Sequence, residues 1–89
     1  LPATAIFYLA VLAGGATGAV RVYGAVKGDE FVAFPFGIKG SIVLEPRRAC
    51  EFDVIDPMTG QVIEHKVHAA GQQFELKGAE MFLLKGRYR

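Results

Sequence analysis

Residues 50–68 read Cys50-Glu51-Phe52-Asp53-Val54-Ile55-Asp56-Pro57-Met58-Thr59-Gly60-Gln61-Val62-Ile63-Glu64-His65-Lys66-Val67-His68. Cys50, Phe52 and Val54 alternate with Glu51 and Asp53, the period of two that marks a half-buried strand. Asp56-Pro57-Met58-Thr59-Gly60 then reads as a turn. The aspartate can accept from backbone N–H groups, the proline presets φ, and Gly60 takes the left-handed exit. Gln61 to His68 returns as the partner strand, with Val62 on one face and Ile63 and Val67 on the other. The unit is a hairpin, so the chain is built on antiparallel sheet.

Working outward, short extended runs recur with turn residues between them. Val20 and Val22, with Ala25 and Val26, make a first run, broken by Lys27-Gly28-Asp29. Phe31 to Phe36 is a second. Pro35 within it cannot donate to a ladder, which predicts an edge strand or a bend. Ser41-Ile42-Val43-Leu44 is a third run, ended by Pro46. After Ala70-Gly71, Phe74 and Leu76 alternate with Gln73, Glu75 and Lys77, and Gly78 leads to Met81-Phe82-Leu83-Leu84. Six to seven short strands at this spacing predict a mainly β fold, a small antiparallel sandwich or barrel over residues 21–89.

The opening differs. The ten Lys and Arg and nine Asp and Glu side chains all lie at Arg21 or later, so Leu1 to Val20 carries no charge. Twenty residues at about 1.5 Å each span roughly 30 Å, the thickness of a bilayer's hydrocarbon core. Ala10, Gly14 and Gly18 recur every four residues, a small-xxx-small spacing that lets helix backbones approach closely. The expectation is an apolar α-helix over 1–20 that anchors in a membrane or packs in an assembly. Other readings stay open. A signal peptide would carry a basic n-region, which is missing. A buried helix of a larger soluble protein fits the composition, as does a short helix followed by a Gly-rich loop. Arg21 and Lys27 follow the run, but Asp29 and Glu30 stand close by, so the side of the membrane is left open.

Composition narrows the function classes. Eighty-nine residues hold at most one core-bearing domain. A formal net charge of +1 argues against a nucleic-acid binder that relies on a basic field. The apolar fraction of 52% excludes a disordered chain. A single cysteine excludes an internal disulfide framework.

No constellation for catalysis emerges, and no cofactor motif. His65 and His68 are one odd and one even position of a strand, so they face opposite sides and cannot clamp one metal ion. Cys50 lies on the apolar face as a structural thiol. Glu51 and Asp53 share a solvent face, where a polar sheet surface accounts for them as well as a glycosidic acid pair would. Asp53 and Asp56 lack the loop spacing of a calcium site. Gly14-Gly15-Ala16-Thr17-Gly18 lacks the strand and Lys-Ser/Thr of a phosphate loop. Arg47, Arg48, Arg87 and Arg89 are the basic positions from which a partner contact is expected. Tyr23, Phe31, Phe34 and Phe36 form an aromatic group that is expected to be core before it is a stacking platform.

The order Asp29-Glu30-Phe31-Val32-Ala33-Phe34-Pro35-Phe36-Gly37, Phe52-Asp53-Val54-Ile55-Asp56-Pro57-Met58-Thr59-Gly60, Phe74-Glu75-Leu76-Lys77-Gly78 and Phe82-Leu83-Leu84 resembles a known module. It is similar to the small C-terminal β-sandwich, of collagen-binding-domain type, that follows the barrel in apiosidase-like glycoside hydrolases. The sharpest shared element is Asp56-Pro57-x-Thr59-Gly60. The tryptophan usual in that family's last strand is missing. The resemblance implies a non-catalytic accessory domain, with the catalytic carboxylates on a barrel outside this chain.

Two functions are therefore expected. The first is a non-enzymatic structural subunit, joined to other subunits, to copies of itself or to membrane lipid through residues 1–20, in a single-span membrane complex or an extracellular filament. The second is an accessory module of a polysaccharide-degrading enzyme, with a glycan as its partner.

Overall fold

The alternation at Cys50–Ile55 builds a strand whose inner side chains Cys50, Phe52 and Val54 are buried and whose outer ones are half-exposed. In the computed structural model, residues 6–10 and 21–89 are described, and eight strands lie among them. They are β1 (Phe7–Ala10), β2 (Arg21–Lys27), β3 (Glu30–Phe36), β4 (Ser41–Pro46), β5 (Cys50–Ile55), β6 (Val62–His68), β7 (Phe74–Lys77) and β8 (Leu83–Tyr88). A five-stranded sheet has the order β2-β3-β8-β5-β6, and a three-stranded sheet the order β1-β4-β7. All pairings are antiparallel. The two sheets enclose one core, so the expected mainly β sandwich is found.

The helix expected over 1–20 is corrected where the chain is described. Phe7–Ala10 is strand β1, pairing antiparallel with Pro46 to Val43 of β4, and the Arg47 N–H donates to the Ile6 carbonyl at 3.1 Å. Ala10 therefore closes a strand and faces Val43 across the ladder. Gly14 and Gly18 lie outside the described residues. The physical reason is that a charge-free run satisfies any buried segment, and a short apolar stretch cannot be assigned to strand or helix by periodicity alone. Here the sheet had an open place beside β4, and Ile6 and Phe7 fill the core behind it, each 2% exposed.

Phe7 is the hub of that core. Its ring meets Phe31, Phe52 and Phe74 edge-on, at centroid separations of 5.7, 5.6 and 5.5 Å. Phe31 and Phe52 belong to the five-stranded sheet and Phe74 to the three-stranded one, so the cluster ties the two layers together. Edge-to-face pairs of this kind add roughly 0.5–1.5 kcal/mol each beyond the area they bury. Residues 6 and 7 thus share a core with the strands after Arg21.

Pro35 lies in an interior strand, not at an edge. β3 is flanked by β2 and β8, but the ladder to β8 stops at Ala33. Beyond it the Pro35 carbonyl accepts from the Phe82 N–H at 3.1 Å. A strand residue's N–H and C=O point the same way, so the missing donor of Pro35 falls where the regular ladder has ended.

The turn chemistry is local. Gly28 has φ +62° between the paired residues Lys27 and Glu30, and among the described residues no non-glycine residue has positive φ, so Asp29 does not, the pattern of a type II′ hairpin. In the β5–β6 turn, Asp56 Oδ1 accepts from the Met58 N–H at 2.8 Å. The Gly60 N–H, at φ +76°, donates to the Asp56 carbonyl at 2.8 Å. Pro57 sits between them and is half-buried.

Candidate binding surface

The outward face of the five-stranded sheet is set by register. In an antiparallel pair, residues directly opposite share a face. One cross-strand row therefore runs Val32–Lys85–Asp53–His65, and the next runs Lys27–Glu30–Arg87–Glu51–Val67. Charges alternate in sign along both rows. A hollow of about 770 Å³ lies over them, lined by Lys27, Glu30, Glu51, Asp53, His65, Lys85 and Arg87 among others. Gly86 is needed beneath it. A Cβ there would overlap the Glu51 carbonyl oxygen and the Phe52 Cβ, and would stand 2.6 Å from the Phe52 Cα.

His65 on this face lies against two acids. Its Nδ1 lies 2.7 Å from Asp53 Oδ1, and its Nε2 lies 3.7 Å from Glu51 Oε2. All three groups are substantially exposed, so the pairing orients the imidazole more than it stabilises the fold. The two carboxylates expected to share a solvent face do so, but both are directed to one imidazole. Asp53 and Asp56, considered for calcium, have different partners: the imidazole and the turn N–H. Among the described residues no group of three or more His, Cys, Asp or Glu is arranged to hold a metal ion.

His68 faces the other way. Its ring stacks on Phe74 at 5.1 Å and on Phe52 at 6.0 Å. Burial, and then the Lys66 ammonium, hold its pKa below the ordinary 6.5, with Gln72 and Glu64 opposing. Its Nδ1 is buried without a hydrogen-bond partner, which the neutral ring tolerates better than a charged one. Cys50 is 1% exposed, and burial pushes its thiol up to about 11. A thiolate is the reactive form, so this cysteine is inert near neutrality.

The basic positions do not converge. The Arg48 guanidinium stacks 4.1 Å over the Tyr88 ring. Arg87 stands in register between Glu30 and Glu51. The Arg47 and Arg89 backbone N–H groups donate to Ile6 and Ala49, at 3.1 and 2.9 Å. Of the aromatic group, Phe31 is core, as expected. Tyr23 is 56% exposed and stacks parallel on Phe36 at 5.5 Å and 11°, with Phe34 5.8 Å beyond.

The feature that sequence reasoning missed is the solvent exposure of β6. Alternation assigns Val62, Ile63 and Val67 each to a strand face, and the structure leaves them 57%, 56% and 48% exposed. Among the described residues β6 is the outermost strand of the wider sheet and pairs with β5 alone. Three β-branched residues in seven, without the core burial such residues normally find, are the only signal the sequence carried. Among the described residues no helix is long and apolar enough to cross a membrane. Comparison with protein-family models, with curated proteins and with solved structures finds no match for this chain.

Proposed function

We propose that this chain is a non-enzymatic β-sandwich module that works by association, offering the β6 side of its five-stranded sheet to protein subunits. The observation that carries the reading is the solvent exposure of Val62, Ile63 and Val67 on a sheet edge that is unpaired among the described residues. Unpaired strand edges with apolar side chains are templates for strand addition, and sheet proteins normally blunt them. Support against catalysis comes from the inert Cys50 thiol and from two histidines on opposite faces. The anchoring helix expected over 1–20 has no part in this proposal, because β1 is built into the sandwich. The test is the variant Val62→Ser/Ile63→Ser/Val67→Ser. It should keep its circular dichroism spectrum and lose association with protein partners in cross-linking and sedimentation. Unchanged association would remove the reading.

A second reading, the accessory module of a polysaccharide-degrading enzyme, is favoured by one observation. Tyr23 and Phe36 present a parallel aromatic pair on the surface, and flat aromatic faces are what sugar rings stack on. Affinity for a plant-cell-wall oligosaccharide series that disappears in Tyr23→Ala would support it. No affinity at millimolar sugar would end it.

A further inference from the structure

We infer that the occupant of the β6 edge is β6 of a second copy of this chain, paired antiparallel about His65, so that two five-stranded sheets become one of ten strands. The inference rests on the association reading above and names its partner. A two-fold pairing must match residues whose backbone groups both point outward, so only registers centred on a residue are allowed. Centring on Glu64 puts Glu64 against Glu64, and centring on Lys66 puts Lys66 against Lys66. Centring on His65 puts Glu64 opposite Lys66 twice and Ile63 opposite Val67 twice. Charge complementarity therefore selects one register, since like charges directly opposite are destabilising and opposite ones favourable.

The side chains are placed to use it. His65 and Val67 lie on the outward face by register and Ile63 is exposed at the bulge, where two Ile63–Val67 pairs would cover apolar surface now in water on either side of the central imidazoles. Each of those imidazoles already has its own Asp53 at 2.7 Å. Glu64 and Lys66 lie on the other face, 3.1 Å apart within one strand. Pairing would extend that ion pair into a four-charge row. The register with β5 passes from Val54–Glu64 to Ile55–Val62, so the bulge falls at Ile63, the first residue of the 63–67 stretch, and leaves Glu64 to Val67 in regular pairing.

The test is sedimentation equilibrium on the whole chain, with circular dichroism on each variant to establish the fold. The chain as it stands should show a concentration-dependent dimer. Glu64→Lys and Lys66→Glu should each weaken it by about tenfold or more, and an equimolar mixture of the two should restore a heterodimer. Because Lys66 is largely buried, a second measurement stands apart from it. His65→Cys should form a disulfide with its mate on mild oxidation, since opposed strand positions lie within disulfide reach. Ile63→Cys should not, because the register sets the two 63 positions about 13 Å apart. A monomer at every concentration overturns the inference. So does a dimer that ignores both charge reversals and cross-links at 63 as readily as at 65. Loss of such a dimer in the Val62→Ser/Ile63→Ser/Val67→Ser variant would keep the association reading, and its survival there would remove both.

Discussion

The ring of Phe7 meets the ring of Phe52 edge-on at 5.6 Å, across the space between the two sheets. One comes from the charge-free opening and the other from the most clearly alternating strand in the chain. Their contact makes Phe7 part of the sandwich core, with consequences for both stability and function. Phe7→Ala should lower stability by about 3–5 kcal/mol, the usual cost of emptying an aromatic core site. Urea unfolding followed by circular dichroism measures it. A loss under about 1 kcal/mol would mean that β1 contributes little to the core.

Gly86→Ala should be more damaging than a methyl group suggests. The added carbon would overlap the Glu51 carbonyl and the Phe52 Cβ, and β5 and β8 are adjacent central strands that cannot both shift cheaply. A loss of roughly 1–3 kcal/mol or more is expected, read as a fall in melting temperature. An unchanged melting temperature would show that the two strands can part.

How much of this was legible in advance depends on what set each feature. The β5–β6 hairpin was readable because alternation and turn chemistry are local: Cys50, Phe52 and Val54 go inward, and Asp56 and Gly60 make the turn. The same register places Asp53 opposite His65, a pairing that spacing along the chain does not show, because it depends on the exact length of the turn between them. β1 is not legible in advance, because an absence of charge from Leu1 to Val20 does not distinguish strand from helix. The exposure of Val62, Ile63 and Val67 is signalled in the sequence only by their β-branched side chains. It follows from the place of β6 at the end of the five-stranded order, and strand order is a property of the whole fold.

His68 gives the fold a pH dependence of known sign. Its folded pKa lies below the ordinary 6.5, so the unfolded chain binds the proton more readily. Stability is therefore complete above the unfolded pKa and is lost as pH falls through it toward the folded value. Melting temperatures taken from about pH 7.5 down to 5 should fall, and His68→Phe should flatten that slope. An equal slope in the variant would assign the effect elsewhere.

Cys50 should resist modification. With the thiol at about 11 and 1% exposed, an aromatic disulfide reagent at mildly alkaline pH should label it only once denaturant is added. Rapid labelling of the folded chain would contradict the burial of β5's inner face.

The association account rests on β6 being an open edge that closes when chains meet. Amide hydrogen exchange measured at rising protein concentration tests this most directly. The account predicts that peptides covering Val62 to His68 gain protection with concentration, while those covering Phe31 to Phe36 in the sheet interior stay constant. Exchange in Val62 to His68 that is indifferent to concentration, with or without added partner, would contradict it.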